Sequence, residues 1–572
     1  MAIDLNLRVS GQAGQGVDTL GTLLAEVLHA DGLHLFTHQD YMSRIRGGHN
    51  YYQLRIADQP LTAAREKLDL IVALDERGLQ EDWPVAGPRP VVLVDGEFEQ
   101  SEGLKLRVPW ARLAEEAGDA RYANTAAAGA ALAQLGHPLE TLLARLEATF
   151  ARRGPEVVAG NQQAARAGYA FHLEHFSRML PLHAPVLPPH GQLLLSGVEA
   201  IALAALAGGV QFYSGYPMTP TTGILTYLAQ HADGQDLVVE QAEDEIAAIN
   251  MCLGAAYGGA RAMTATSGGG FCLMVEGLAL AGMTETPIVI ALGQRPGPAT
   301  GLPTRTEQGE LWFALHAGHG EFPRLVYAPG DPTEAFELTF LALNQADKYQ
   351  TPALLLYDQY LADMTATVPR PDFSGLTVDR HLATAEEIGG DYQYARYALT
   401  DSGVSPRALP GTPGAVVEVD SDEHDVHGHI IEDAETRKAM VDKRLRKSAG
   451  MRQDMLPPLL TGDAEPDLLL LGWGSTKGCL AEAAALLRQS GERVAQLHCP
   501  QLWPFPAEAM SAVLQSARRT FVIENNATGQ FRGLISRETG ICPDELVAKY
   551  DGQPFAPQEI VAAVRSRRRE KA

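Results

Sequence analysis

Residues 261–270 read Arg-Ala-Met-Thr-Ala-Thr-Ser-Gly-Gly-Gly. A short apolar and β-branched run closed by turn residues suits a strand buried on both faces, as parallel strands are. The three glycines that follow lack a Cβ, so a ligand or a second backbone can approach closely there. The same plan recurs on both sides, with strands expected at 210–213, 237–240, 287–292, 325–328 and 353–357 and helical stretches between them. Strands alternating with helices predict a parallel sheet with crossover helices. Ligands of such sheets sit beyond the carboxyl ends of the strands, so the residues that follow each strand are the candidate site.

Working outward, the N-terminal region opens on the alternation Leu5, Leu7, Val9 and a glycine-rich turn. Further strands are expected at 49–56, 68–74 and 90–94, and helices at 126–135 and 139–150. Four prolines within 181–189 mark a linker. Beyond about residue 371 the pattern dissolves into a Gly/Pro/Asp-rich connector carrying a helix at 432–447. A third α/β block follows, with strands at 468–471, 494–498 and 520–524 and helices at 479–488 and 506–517. The expected organisation is an α/β domain over 1–180, a Pro-rich linker over 181–192, a parallel-sheet domain over 193–371, a connector over 372–465 and an α/β domain over 466–572.

Composition excludes several classes of function. At 572 residues the chain is too long for one compact domain, and 45% hydrophobic content argues against disorder. A net charge of −24 repels phosphate backbones and anionic lipid, so neither nucleic acid nor a membrane surface is expected as a partner. The first residues, Met-Ala-Ile-Asp-Leu-Asn-Leu-Arg, have no basic leader or apolar segment, and the apolar stretch 200–210 is far too short to span a bilayer. A cytoplasmic protein is expected. The five cysteines are odd in number and form no CxxC pair, so neither a disulfide framework nor an iron–sulfur cluster or zinc site of this chain's own is expected.

The strand ends carry the chemistry. Gly11-Gln-Ala-Gly14-Gln-Gly16 lies between a strand and a helix, where backbone N–H groups can cradle an anion. A tight βα turn accounts for it equally. Arg44 and Arg46 flank a flexible turn, and arginine forks suit phosphate groups such as those of coenzyme A; a solvated loop is the alternative. Tyr216-Pro217-Met218-Thr219-Pro220-Thr221-Thr222 ends one strand with a rigid turn and three hydroxyls, which also suit an ordinary helix N-cap. Glu243, Asp244 and Glu245 open a helix, where the dipole favours acids. Glu245, followed by Ile246-Ala247-Ala248, is expected to face an apolar environment, and such a carboxylate is suited to exchanging protons with a ring nitrogen. Arg295 leads the Pro/Gly loop 296–303 to Thr304 and is placed to pair with a substrate carboxylate or, alternatively, with a structural acid.

Taken together, these motifs resemble the α chain of 2-oxoacid:ferredoxin oxidoreductases in the form with a γ-like domain fused at the N-terminus. Tyr216-Pro-Met-Thr-Pro220 is similar to that family's Y-P-I-T-P, with Met for Ile, and 243–250, 264–270 and 297–304 match too, with Ala299 in place of Ser. The likeness extends to Gly11–Gly16, to Ser421-Asp-Glu-His-Asp425 with Gly428-His429, and to Glu524-Asn-Asn-Ala-Thr-Gly-Gln530.

The resemblance implies a γ-type α/β domain, a thiamine-enzyme pyrimidine-binding domain and a transketolase C-terminal-like domain. It implies thiamine diphosphate shared with a β chain, with Tyr216, Pro217, Met218, Thr219 and Glu245 on the cofactor. Glu245 would exchange the ring proton, while Arg295, Thr219 and Thr304 grip the substrate carboxylate. Coenzyme A would be the acyl acceptor, helped by Gly14 and Arg44. No GDG with a suitably spaced Asn is present, so the β chain must supply Mg2+ and a 4Fe–4S cluster that passes electrons to ferredoxin. A dimer of αβ heterodimers is implied.

Of the 2-oxoacids, 2-oxoglutarate is the expected substrate, because the γ–α fusion and connector resemble the 2-oxoglutarate members; pyruvate and branched-chain acids stay open. Decarboxylation and its reverse, carbon fixation, are both open. A non-catalytic coenzyme A or nucleotide-binding subunit is the rival reading, and the glycine spacing disfavours a nicotinamide dehydrogenase. His424, His427 and His429 with Asp422 and Asp425 have the residue types of a zinc box, but the resemblance accounts for them as an interdomain loop, and no metal is assigned to this chain.

Overall fold

The decisive strand forms as expected: Ala262–Ser267 is buried at all six positions and pairs in parallel with Phe212–Gly215 on one side and Ile288–Gln294 on the other. The structure, a computed structural model, describes residues 3–43, 47–96, 104–177, 180, 182, 191–389 and 393–569. Of the expected Pro-rich linker, all but residues 182, 191 and 192 lies outside these described residues. The chain divides into two compact units, one of Met1–Leu195 with Met364–Arg370 and one of Ser196–Asp363 with Pro371–Ala572.

The first unit is built on an eight-stranded mixed sheet in the order Leu104–Arg107, Ala86–Val94, Leu68–Ala73, Asp4–Ala13, Gly47–Ala57, His34–Asp40, Thr365–Val368, Leu193–Ser196. Asp4–Ala13 is parallel to Leu68–Ala73 and antiparallel to Gly47–Ala57. The strand Thr365–Val368 falls by sequence inside the 193–371 block. In the structure it runs antiparallel to His34–Asp40, and Leu35 N–H donates to Thr367 Oγ1 at 3.0 Å. Four residues are too few to declare a periodicity, and their partner lies far away in the sequence.

The second unit holds two sheets. Seven strands run in the order Gln501–Trp503, Leu325–Tyr327, Pro352–Asp358, Ile288–Gln294, Ala262–Ser267, Phe212–Gly215, Val238–Gln241. Five more run in the order Leu459–Gly462, Val494–Cys499, Leu468–Trp473, Thr520–Glu524, Glu545–Ala548. One apolar core passes through both, joining Ile290 and Leu354 to Leu469, Leu471 and Leu502. Among the described residues no helix is long and apolar enough to cross a membrane.

The connector is anchored by buried charge as well as by a small apolar cluster of Ile388, Tyr394 and Ala408. Its helix Ala434–Gln453 buries Lys443 and Lys447 beside Met440 and Met451. Both lysine Nζ atoms reach the carboxylate of Glu285 at 2.5 Å. Burial would raise that carboxyl, yet Lys447, Lys443 and Arg396 hold it well below the usual carboxylate range. Burial in turn pushes Lys443 down to about 7 against the pull of Glu285. A second knot gathers Arg261, Arg380 and Arg407 on buried Asp347 at 2.7–3.1 Å.

Candidate active site

The carboxyl ends of Phe212–Gly215, Val238–Gln241, Ala262–Ser267 and Ile288–Gln294 are neighbours in the seven-stranded sheet, so the four motif-bearing loops emerge side by side. The three acids after Val238–Gln241 separate by role. Glu243 is exposed. Asp244 caps the helix Glu245–Gly258, accepting the Ala247 N–H at 2.7 Å. Glu245 is only 3% exposed, and its Oε1 is buried without a hydrogen-bond partner among the described residues. Ile246, expected to wall it in, is itself 48% exposed. The burial comes from the glycine triplet: a Cβ on Gly270 would collide with Glu245 Oε1 and with Thr266 Oγ1, so the carboxylate occupies the space that glycine leaves.

Thr266 and Ser267 connect this carboxylate to the next loop. Ser267 Oγ lies 2.7 Å from Met218 Sδ, and Pro220 seats on Gly293, where a Cβ would come within 2.7 Å of its ring. Arg295 Nη1 donates to the carbonyl of Thr219 at 2.8 Å. Thr219 and Arg295 are therefore in contact, and Met218 lies over the end of the strand whose glycines border Glu245. Tyr216 is 40% exposed and Pro217 is half-buried.

The Arg295 loop is closed on itself and then clamped. Gly301 has φ +55°, and a Cβ there would strike the Pro296 carbonyl, which accepts the Leu302 N–H at 3.1 Å. Thr304 is half-buried further along this loop. Gln308 then exchanges backbone and side-chain hydrogen bonds with Asn525: its N–H donates to the Asn525 carbonyl at 2.6 Å, and the Asn525 N–H donates to its Oε1 at 3.0 Å. Asn526 Nδ2 donates to the Gln308 carbonyl at 3.0 Å and to Glu524 Oε2 at 2.7 Å. Gln530 Nε2 donates to the Gly309 carbonyl at 2.7 Å. The Glu524–Gln530 motif is thus a clasp on the site loop. Asn526→Ala leaves the buried Gln308 carbonyl and Glu524 without that donor, and a loss of about 1–3 kcal/mol in unfolding free energy is expected in denaturant titration.

The clasp delivers a residue that sequence reasoning passed over. Glu310 donates its N–H to Gln294 Oε1 at 3.1 Å, and its Oε1 fills the space beside Gly268, where a Cβ would collide with it. Its Oε2 is buried and, among the described residues, without a hydrogen-bond partner. Burial pushes its carboxyl up to about 8, with Glu307 adding to the shift and Arg295 opposing it. In sequence, Glu310 reads only as an acid ahead of the short helix Leu311–His316. Glu245 and Glu310 therefore flank the two ends of one glycine triplet.

The N-terminal candidates lie in the first unit. Gly14 and Gly16 have φ +92° and +76°, and Gln15 Oε1 accepts the Gln12 N–H at 2.7 Å to close the turn. Beside it is a cleft of about 360 Å³ lined by Gln12, Gly14, Gly16, Asp18, Asp40 and Tyr51 among others. Arg44 lies outside the described residues. The histidines of 424–429 point to different places. His424 is buried against Tyr397, with ring centroids 4.1 Å apart, whereas His427 and His429 are exposed and Asp425 Oδ1 accepts the N–H groups of residues 427–429 at 2.8–3.0 Å. Among the described residues no three His, Cys, Asp or Glu side chains are placed to hold a metal ion.

Comparison with known proteins covers nearly the whole chain. Residues 203–443 match the thiamine diphosphate-binding family model of pyruvate flavodoxin/ferredoxin oxidoreductases. Residues 6–171 match the pyruvate ferredoxin/flavodoxin oxidoreductase model, and residues 466–560 match pyruvate:ferredoxin oxidoreductase core domain II. The chain is 31% identical to a 2-oxoacid:ferredoxin oxidoreductase subunit alpha from a Sulfolobus species, over 97% of this chain and 96% of that one. It is 33% identical to the 2-oxoglutarate oxidoreductase subunit KorA of Mycobacterium tuberculosis, over 98% and 91%. Its fold superposes with a TM-score of 0.92, at 33% identity and over 98% and 99% of the two chains, on the 2-oxoglutarate:ferredoxin oxidoreductase of Magnetococcus marinus, solved with 2-oxoglutarate, coenzyme A and succinyl-CoA bound.

Proposed function

The chain belongs to the 2-oxoacid:ferredoxin oxidoreductase family as an α-subunit homologue, and from that premise we propose that it is the α subunit of a coenzyme A-dependent 2-oxoglutarate:ferredoxin oxidoreductase. The reaction is reversible: 2-oxoglutarate loses CO2, its acyl carbon gives up two electrons to ferredoxin, and the thiol of coenzyme A takes the succinyl group with release of a proton. The choice of 2-oxoglutarate is supported by the near-complete match to the mycobacterial subunit and to the Magnetococcus enzyme.

The observation that carries the reading is the unpaired, buried Oε1 of Glu245 in the hollow of Gly270. A buried carboxylate normally finds a partner, and a ring nitrogen of a bound cofactor could supply the one this oxygen lacks. These residues fit the aminopyrimidine of thiamine diphosphate. When bound, that cofactor supplies the electron sink that lets a 2-oxoacid lose CO2. Glu245 holds and returns a proton at Oε1. Tyr216, Pro217 and Met218 would border the ring, and Arg295, Thr219 and Thr304 would orient the substrate carboxylate by charge-assisted hydrogen bonds.

Exposed apolar side chains on these same loops support a second chain as the other half of the site. Tyr216, Ile246 and Leu302 are 40–50% exposed beside a carboxylate that is itself buried. The proposed β chain holds the diphosphate end of the cofactor with Mg2+ and carries the 4Fe–4S cluster; two αβ pairs form the assembly, working in the cytoplasm. Coenzyme A draws on the N-terminal domain, through the Gly14 turn and Arg44.

The test is 2-oxoacid-dependent reduction of a viologen dye by this chain co-purified with its partner. Turnover that requires coenzyme A is expected, with kcat/KM highest for 2-oxoglutarate and no activity from this chain by itself. Higher kcat/KM on pyruvate or a branched-chain acid would reassign the substrate, and no turnover on any 2-oxoacid would overturn the reading.

A further inference from the structure

The two helices that start at the candidate site carry almost no charge. Glu245–Gly258 and Gly268–Met283 are 14 and 16 residues long and hold two charged side chains between them, Glu245, which is buried, and Glu276. Over the whole chain 20% of residues are charged, and a helix that meets water normally turns a charged face to it. The two helices pack together, Gly277 against Ile249 and Gly270 against Glu245. Outward they turn Ile246, Met251, Tyr257 and Leu273, all 41–48% exposed. Neither helix is long and apolar enough to cross a membrane.

Gly254 is a second, independent sign. It stands in the interior of Glu245–Gly258, where glycine is the least favourable residue after proline. A Cβ there would meet nothing within 4 Å among the described residues beyond its own helix, so no packing inside this fold requires the gap. A missing side chain on an outward helix face lets a second backbone come close. The same helix begins at Glu245, whose buried Oε1 has no partner among the described residues.

We propose that this two-helix face is the docking surface for the β chain, with a helix of that chain crossing Glu245–Gly258 at Gly254. The proposal rests on the reading of the site as one half of a shared thiamine diphosphate site. Size argues for that occupant. Two helices of this length side by side cover about 400 Å², half of the about 800 Å² that each partner of a stable complex buries. The rest must come from adjoining apolar surface. That surface is the mouth of the site, where Tyr216 and Leu302 are exposed and the Ala299 carbonyl lies over Gly269. A second copy of this chain seated there would bring another pyrimidine half-site and no GDG segment for the diphosphate. The partner's facing surface must itself be apolar or small, because Glu276 is the one ion that the outward side chains of these helices offer.

The experiment compares maleimide labelling of the full chain by itself and in the co-purified assembly, followed cysteine by cysteine by mass spectrometry. Cys272, exposed on Gly268–Met283, is the reporter, and Cys542, exposed in the third α/β block, is the control. Both should label in the chain alone. In the assembly Cys272 should slow at least about tenfold, as burial in a packed interface demands, while Cys542 keeps its rate. Gly254→Leu should leave the Tm of the chain alone unchanged or higher, and raise the Kd for the β chain at least about tenfold in a sedimentation titration. Equal Cys272 rates with and without the partner overturn the proposal. So does a Gly254→Leu chain that binds the partner like wild type, or one that melts below wild type when alone. Cys272 protected in the chain alone, with that chain eluting as a dimer, gives the face to a second copy and overturns it too. An assembly that turns over a 2-oxoacid while Cys272 stays open sinks the docking face and keeps the function. Protection of Cys272 in an assembly that turns over no 2-oxoacid keeps the docking face and sinks the function.

Discussion

Glu245→Gln in the assembled enzyme is expected to lower kcat by a factor on the order of 10²–10⁴, the usual contribution of a positioned general acid–base group. Glutamine keeps the shape that fills the hollow of Gly270, so neither a cavity nor a collision arises. What it loses is the ability to hold and return a proton at the oxygen that has no partner among the described residues. Assembly with the β chain, followed by size-exclusion chromatography, should be unchanged, because Glu245 Oε1 has no hydrogen-bond partner among the described residues and the helix is capped by Asp244. Calorimetric titration with thiamine diphosphate gives a readout apart from turnover and should weaken in parallel. If this subunit only bound coenzyme A or a nucleotide, the substitution would change turnover little, and retention of wild-type kcat would remove Glu245 from the chemistry.

What could be read in advance depended on how local each cause was. Ala262–Ser267 was legible because burial on both faces writes itself as a continuous apolar run, and its glycines because only a missing side chain explains three together. The division of labour among Glu243, Asp244 and Glu245 was half legible. The apolar residues after Glu245 singled it out, but its burial comes from Gly270, which belongs to the next strand–helix unit, and not from Ile246, which is exposed. Thr365–Val368 was not read as a strand, because a strand's sheet is chosen by its partner, here His34–Asp40, and not by its own four residues. Glu310 was missed for the same reason. Nothing within Gln308-Gly-Glu310 distinguishes an exposed helix-start acid from a buried one; the difference is made by Asn525 and Asn526, more than two hundred residues later in the chain.

Lys443 and Lys447 carry that lesson into stability. Their helix reads as alternating charge, the pattern of a solvated face, yet both lysines are buried on Glu285. Glu285→Gln is expected to cost about 3–5 kcal/mol, the penalty for stranding a buried ion whose partner is removed. The loss should appear in the denaturant midpoint and as faster amide exchange along Ala434–Gln453. It should also grow as pH falls. Without Glu285 the lysines titrate still further below their unfolded value of 10.5 than the about 7 that Lys443 has now. Below about 7, down to the variant's lower value, the variant's folded chain binds fewer protons than the wild type's, so the deficit widens as pH falls through that window and is level above it. Replacing Glu285, Lys443 and Lys447 together by Met separates charge from packing. The triple variant removes both lysines with their partner, while Arg396 keeps its bonds to Gln350 and to the backbone carbonyl at position 285, so most of the lost stability should return. A Glu285→Gln protein as stable as wild type, or a triple variant no better than the single one, would mean that the connector is held by shape and not by this buried charge.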